Sequence, residues 1–376
     1  MKLYEFQGKR IFRQYGLPVP QGTLVVTAEE LTKLAPPLVL KAQVLVGGRG
    51  KAGGVKLCRN KEELSGCFSE LMRKQIKGEV VRAILAEEKV DILQEYYLAI
   101  TIKGGDATPV IIASAAGGVD IEQVARENPE RITTVPFSPF FGPTEYHVRT
   151  VARGLGYSDY RELKEIVFKL YRIFRDLDAT LVEINPLAQT PTGLLALDAK
   201  MVLDDKASFR QQQVLVQLRQ EQSSLLGVAV EPALNDDTIT YVPLSGTVGL
   251  ISDGAGTGML TLDLIKDAGG QAANFCEMGG ITSPEVMYSA LSKVLANAEV
   301  RSLLVVLIGG FNRMDEMAAG ILKYREDHGL KVPIVVRMCG TMEEEGKEMM
   351  RQAGLTTYDD LLQAVQDAVQ FAGGKE

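Results

Sequence analysis

Four apolar runs of strand length, at residues 247–252, 272–275, 302–308 and 333–338, alternate with helical stretches near 257–268, 283–296, 313–326 and 342–353. Strands separated by helices cannot close as hairpins, so the alternation predicts a parallel sheet with helices on both faces. Ligands on such sheets bind beyond the carboxyl ends of the strands. Two loops therefore stand out: Asp253-Gly254-Ala255-Gly256-Thr257-Gly258 and Gly309-Gly310-Phe311-Asn312-Arg313.

The first 200 residues follow a different pattern. Phe6, Ile11, Phe12 and Tyr15 recur at helical spacing until Gly16-Leu17-Pro18 ends the repeat. Thr27-Ala28-Glu29-Glu30 has capping-box chemistry and opens a second helix. Residues 38–45 and 83–88 read as short strands with a helix near 60–75 between them. Residues 93–103 and 109–114 read as paired strands joined at Gly104-Gly105-Asp106. A helix at 160–176 and strands at 180–184 and 194–197 complete an α+β arrangement. Residues 206–238 are polar and glutamine-rich, which predicts a helix and connector at a domain boundary. The expected domains are 1–225 and 239–376.

Composition excludes several classes. A formal charge of −7 and a pI near 5.3 argue against nucleic acid or an acidic membrane surface as partner. Cys58, Cys67, Cys276 and Cys339 form no CxxC, which disfavours a zinc or redox site and fits a reducing compartment. The opening residues are too polar for a signal peptide, and no apolar run approaches the ~20 residues of a membrane span. The chain is expected to be cytoplasmic.

Two stretches carry candidate chemistry. Lys41 ends an apolar run and leads into Gly47-Gly48-Arg49-Gly50-Lys51-Ala52-Gly53-Gly54, after which Val55-Lys56-Leu57 returns to an extended pattern. Glycines let backbone N–H groups approach a ligand, and successive amides with nearby cations suit a polyphosphate. The loop is not a Walker A motif, which requires GxxxxGK[ST] at the start of a helix. A solvated hairpin tip is the alternative. The second stretch pairs Glu183-Ile184-Asn185-Pro186-Leu187 with Leu197-Asp198-Ala199-Lys200, at the predicted ends of two strands. An amide oxygen and a carboxylate suit Mg²⁺, which takes few protein ligands and shares the rest among water and phosphate. The alternative is a plain Asn-Pro turn with a surface aspartate.

The chain resembles the β subunit of succinate–CoA ligase, an ATP-grasp family, from end to end. The carrying segments are YEFQGKRIFRQYGLPVP, LKAQVLVGGRGKAGGVKL, LVEINPL with LALDAKM, DGAGTGM, AANFCEMGG and IGGFNRMD. The resemblance implies an N-terminal two-lobed ATP-grasp domain followed by a flavodoxin-like CoA-ligase domain, a mixture of α+β and α/β. It implies that Lys41 and the backbone at Gly48, Arg49 and Gly50 hold nucleotide phosphates. Glu87, Val90 and Glu95 then meet the base and ribose of ATP or ADP. Asn185 and Asp198 match Mg²⁺ ligands, and Glu183 matches a carboxylate that approaches a phosphorylated histidine. Asp253, Gly310, Phe311 and Asn312 fall where the small carboxylic acid binds. Pro20 matches the ATP-using version. Only His147 and His328 occur here, and neither lies in a candidate site. The resemblance assigns the phosphohistidine and the CoA site to a separate α subunit.

Departures from the family cluster in the second domain. Asp253 stands where the family has Asn, Thr257-Gly258 where it has Leu-Ala, Gly279-Gly280-Ile281 where it has three glycines, and Phe311-Asn312 where it has Ile-Val. Malate–CoA ligase β subunits carry Ile-Asn in the last loop, so Asn312 leans towards malate. Two other functions compete. Gly254, Gly256 and Gly258, with Glu277 some 20 residues on, offer an incomplete dinucleotide fingerprint of a nicotinamide-dependent oxidoreductase. A non-catalytic nucleotide-sensing subunit is the other.

Overall fold

The computed structural model describes residues 1–105, 107–226, 239–280 and 283–373. Asp106, Ile281 and the 227–238 connector lie outside them. The chain divides into two compact units, Met1–Glu231 and Pro232–Glu376.

The first unit contains two large sheets. One is four-stranded and antiparallel, in the order Gly22–Val25, Ile84–Glu88, Leu38–Ala42, Val55–Cys58. Leu40, Ile84 and Ala86 pack with Leu64, Phe68 and Leu71 of helix Lys61–Met72, forming a small core of its own. The other sheet is six-stranded. Its main path runs Gly193–Ala196, Ala179–Thr190, Gln94–Ile102, Pro109–Ser114, Ile132–Pro136, and Lys200–Leu203 also pairs with the Ala179–Thr190 strand. Helix Tyr160–Asp176 starts on an Asp159 cap and turns Leu163, Ile166, Val167, Leu170 and Ile173 inward at i, i+3, i+4 spacing.

The strand expected at 180–184 runs much further, from Ala179 to Thr190. Leu187 and Ala188 are apolar enough to stay in the sheet, where they pair with Ala196 and Leu195 in a hairpin. Glu183 and Asn185 therefore sit mid-strand, not at a strand end. The register shifts between Ile184 and Leu187, at Asn185-Pro186. Lys200–Leu203 pairs with the N-terminal half of the same strand, and Gly193–Ala196 with its C-terminal half. The irregular segment Leu197–Ala199 consequently lies opposite the bulge, and the Leu197 amide donates to the Pro186 carbonyl at 3.1 Å.

The second unit matches the expected grammar closely. Strand order is Thr240–Pro243, Asn274–Glu277, Val248–Ser252, Ser302–Gly309, Ile334–Gly340, Thr357–Tyr358. Every neighbour pair is parallel except the first, where Thr240–Pro243 runs antiparallel on the edge. The five parallel strands thus follow a 2-1-3-4-5 order, which is flavodoxin-like. Alternate residues serve opposite cores. Leu303, Val305 and Leu307 face helices Pro284–Leu295 and Met314–His328, whereas Leu304 and Val306 face helix Leu361–Phe371. Two short edge strands and the last helix, which starts on an Asp360 cap, add to the elements expected from the sequence.

Among the described residues no helix is long and apolar enough to cross a membrane. All four cysteines are free thiols. His147 accepts the Thr144 amide at 2.9 Å as part of a helix cap, and His328 ends a helix with Nε2 2.8 Å from the Tyr288 hydroxyl.

Candidate functional site

In the first unit, the strand Leu38–Ala42 delivers Lys41 to the mouth of the glycine loop. Lys41 is nearly buried, and its ammonium lies 2.7 Å from Glu87, 3.2 Å from Glu5 and 2.5 Å from the Leu197 carbonyl. The loop itself is a set of tight turns, with Ala52, Gly53 and Gly54 amides donating to Gly48, Gly50 and Arg49 carbonyls. Gly48 adopts φ +79°, a conformation that L side chains resist. Arg49 folds back from the loop and lies 2.6 Å from Glu5 and 3.0 Å from Asp198.

Glu5 and Lys9, one turn apart on helix Glu5–Gln14, complete this cluster. Lys9 lies 3.1 Å from Glu5 and 2.5 Å from Glu87. Three cations thus face three carboxylates, most of them out of water, a geometry in which each charge depends on its neighbours. Burial disfavours the Glu5 carboxylate, yet Arg49, Lys41 and Lys9 outweigh it and hold its pKa well below the ordinary value. Burial also opposes the Lys41 charge, and Glu5, Glu87 and Asp198 together hold its pKa above that of a free lysine. Glu87 is 2% exposed, its carboxylate committed to Lys9 and Lys41. Val90 is half-buried just beyond the same strand.

The second cluster forms where the two irregular segments meet. Asn185 and Asp198 each adjoin one end of the Leu197–Pro186 hydrogen bond. Asn185 Oδ1 accepts the Gly118 amide at 2.8 Å, and its Nδ2 donates to the Val119 carbonyl at 2.9 Å. Asp198 Oδ1 accepts from Arg49 and from the Ala199 amide, and the side chain keeps 34% of its surface exposed. Gly118 has φ +68°, and a Cβ there would fall 2.3 Å from Glu95 Oε2, so this turn seats Glu95 beside the Asn185 contact. Glu183 accepts from the Tyr97 hydroxyl at 3.2 Å and lies 3.5 Å from Lys200 Nζ. Burial raises its pKa, against the opposing pull of Lys200 and Tyr97.

The side-chain oxygens of Asn185 and Asp198 are of the kind that Mg²⁺ takes. Asn185 and Asp198 are hard oxygen donors on adjoining backbone, and Asp198 is open enough to reach a ligand. Among the described residues no three His, Cys, Asp or Glu side chains group as a metal cage. A Mg²⁺ at this place would draw most of its coordination from phosphate and water.

In the second unit, Asp253 follows the first parallel strand, and Gly310 to Asn312 follow the third. They meet at the switch point of a flavodoxin-like sheet, the usual ligand position. Asp253 is 6% exposed, accepts the Ile308 amide at 2.8 Å and lies 3.4 Å from Asn312 Nδ2. Burial raises its pKa, against the Ile308 amide and Asn312. Asn312 Oδ1 is buried with no hydrogen-bond partner among the described residues. Phe311, at the loop tip, is 92% exposed. Arg313 does not pair with Asp253: its guanidinium is taken by Asp315 at 2.7 Å and Glu316 at 3.6 Å.

Sequence reasoning missed Glu5, Lys9, Tyr97 and the Gly118 turn. A signal for the first two existed, because Glu5 and Lys9 lie in register with buried Phe12 on the inward face of an amphipathic helix. It also missed Lys77, at the tip of the hairpin joining Gln75–Ile76 to Glu79–Val80, whose ammonium lies 3.3 Å from where a Gly48 Cβ would stand.

Comparisons with known proteins agree with this layout. Residues 2–189 match the family described as an ATP-grasp domain, and residues 251–371 the family described as CoA-ligase. The chain is 40% identical to the β subunit of an ADP-forming succinate–CoA ligase of Aquifex aeolicus, with 99% of each chain covered. It is 38% identical to the β subunit of a GDP-forming succinate–CoA ligase of Thermus thermophilus, over the full length of both. A probable malate–CoA ligase β subunit of Mesorhizobium japonicum is 37% identical, covering 98% of this chain and 97% of that one. In fold, the chain resembles ATP citrate lyase from Methanothrix soehngenii, solved with citrate and coenzyme A, at TM-score 0.69 and 21% identity over 98% and 99% of the two chains.

Proposed function

We propose that this chain, which belongs to the family of succinate–CoA ligase β subunits, binds MgATP in its first unit and exchanges a phosphoryl group with a histidine on a partner α subunit. The observation that carries this reading is the meeting of Lys41 and Arg49, beside a glycine loop, with Asp198 and Asn185, held together by the Leu197–Pro186 hydrogen bond. Lys41 and Arg49 neutralise phosphate charge, and the turns at Gly48 to Gly50 let the backbone approach it. Asn185 and Asp198 would hold Mg²⁺, which when bound would supply further neutralisation of the phosphate charge. Glu183, raised in pKa and steadied by Tyr97, faces the incoming histidine and holds or accepts a proton there. Most of the catalytic contribution is positioning and charge stabilisation. Family membership removes the support for a nicotinamide-dependent oxidoreductase, for which the glycine spacing was already incomplete.

The second unit binds the acid at the Asp253–Asn312 switch point. Backbone amides and helix N-termini there suit a carboxylate. Asp253 and the unsatisfied Asn312 oxygen are acceptors, which favours an acid that also carries a hydroxyl. A hydroxylated short acid such as malate is therefore the preferred substrate, with ATP the nucleotide. The test is thioester formation by the full chain purified with its α subunit, supplied with MgATP, coenzyme A and a series of short acids. Turnover dependent on both subunits and fastest with the hydroxy acid is expected. Tight MgATP binding without turnover on any acid would favour a nucleotide-sensing subunit instead. Succinate as the best substrate would overturn the acid assignment.

A further inference from the structure

Lys9 is enclosed by protein, with its ammonium held on carboxylates. Its side chain is 3% exposed and sits behind Glu5 and Glu87, 3.1 Å from the first and within 2.5 and 2.6 Å of the two oxygens of the second. The same two carboxylates hold Lys41, and Glu5 also holds Arg49. A polyphosphate that engages Lys41 and Arg49 has to draw them away from Glu5 and Glu87. The cost of that exchange depends on what the two carboxylates keep, because a buried charge left unpaired is strongly disfavoured.

Packing makes Lys9 the fixed member of the network. Its helix is seated by Gly8, where a Cβ would stand 3.0 Å from Ala199 Cβ, and by Gln7, which donates to the Leu218 carbonyl at 3.1 Å. Gly22, opposite Glu87 in the sheet, leaves the space that Glu87 uses to turn inward, since a Cβ there would fall 2.7 Å from Glu87 Cγ. Lys41, in contrast, stands at the edge of the glycine loop.

We propose that Lys9 is a positioning residue for nucleotide binding: it stays on Glu5 and Glu87 as their permanent counterion and so frees Lys41 and Arg49 for phosphate. The inference rests on the reading of Lys41 as a phosphate ligand. In Lys9→Met, three carboxylates face two cations, and Glu5 and Glu87 compete with the ligand for Lys41. In Lys9→Met combined with Glu5→Gln the charges balance again.

The test is calorimetric titration of the full-length variants with MgATP, alongside thermal melting without nucleotide. Lys9→Met is expected to weaken MgATP binding by about tenfold or more, within the coupling seen inside one ion network. The double variant is expected to recover most of that loss. A purely structural Lys9 would lower the melting temperature of Lys9→Met and leave the affinity of the folded protein unchanged, which overturns the proposal. Should Lys9→Met fail to fold, Lys9→Gln takes its place in the same comparison: weakened MgATP binding that is restored by adding Glu5→Gln supports the proposal, and unchanged affinity overturns it. Unchanged affinity in Lys41→Met would instead overturn the phosphate reading on which the inference rests.

Discussion

Asp253→Asn removes a charge from a place where burial disfavours one. Asp253 accepts one good amide hydrogen bond, from Ile308 at 2.8 Å, and one long contact from Asn312 Nδ2 at 3.4 Å. Asn312 Oδ1 is buried without a partner among the described residues. An asparagine at 253 keeps an acceptor for Ile308 and carries no charge to desolvate. Burying a charge that its hydrogen bonds do not fully offset costs about 1–3 kcal/mol or more, and the weaker neutral bond to Ile308 returns part of the gain. Net stabilisation of about 1–2 kcal/mol is expected, which raises the melting temperature by about 2–8 °C for a unit of this size. The pH dependence has a definite sign. Because the folded-state pKa is raised, Asp253 binds protons more readily in the native than in the unfolded state, and stability falls as pH rises through that interval. Above that interval the native protein bears the full penalty and the variant bears none. The difference between them should therefore shrink on acidification through the raised pKa, towards the ordinary aspartate value. Differential scanning calorimetry from neutral to mildly acidic pH measures both effects. A variant that melts lower than the native chain at neutral pH, or a difference that grows on acidification, would refute this account of the Asp253–Asn312 pair.

Three further outcomes are expected. Gly118→Ala forces φ +68° on an alanine and sets a Cβ 2.3 Å from Glu95, costing at least about 1–2 kcal/mol; melting should fall, and the Mg²⁺ needed for nucleotide binding should rise as the Gly118–Asn185 bond is lost. Asp198→Asn should raise the Mg²⁺ concentration for half-maximal phosphoryl transfer by at least about tenfold, since even outer partners of a metal carry that much; an unchanged Mg²⁺ titration would remove Asp198 from the metal site. Glu183→Gln should leave MgATP affinity intact and slow phosphorylation of the α subunit by about 10²-fold or more, measured by rapid quench; native transfer rates in that variant would reduce Glu183 to a packing role.

The second unit was the more legible half in sequence. Apolar runs that alternate with helices admit few topologies, and Asp253 and Asn312 were placed at strand ends by that grammar alone. The first unit was less so, for a physical reason. Strand Ala179–Thr190 changes partner midway, and the bulge that allows this is written only as Asn185-Pro186, which reads equally well as a turn. The ion cluster was hidden because its members are distant in the chain: Lys9 and Glu87 are 78 positions apart, and Arg49 and Asp198 are 149. Charged residues on an otherwise amphipathic helix look solvated until the partner strand is known. Glu87 showed the same limit, since nothing local reveals that Gly22 opens space for its side chain to turn inward.

One place in the first unit is proposed to hold both the polyphosphate and its metal. A crystal structure of the full chain with Mg²⁺ and a non-hydrolysable ATP analogue tests it most directly. Phosphate oxygens are expected on Lys41 Nζ and the Gly48–Gly50 backbone, the metal on Asn185 and Asp198, and Lys41 drawn away from Glu87 while Lys9 stays in place. Nucleotide bound elsewhere, or a metal coordinated by neither Asn185 nor Asp198, would contradict the account.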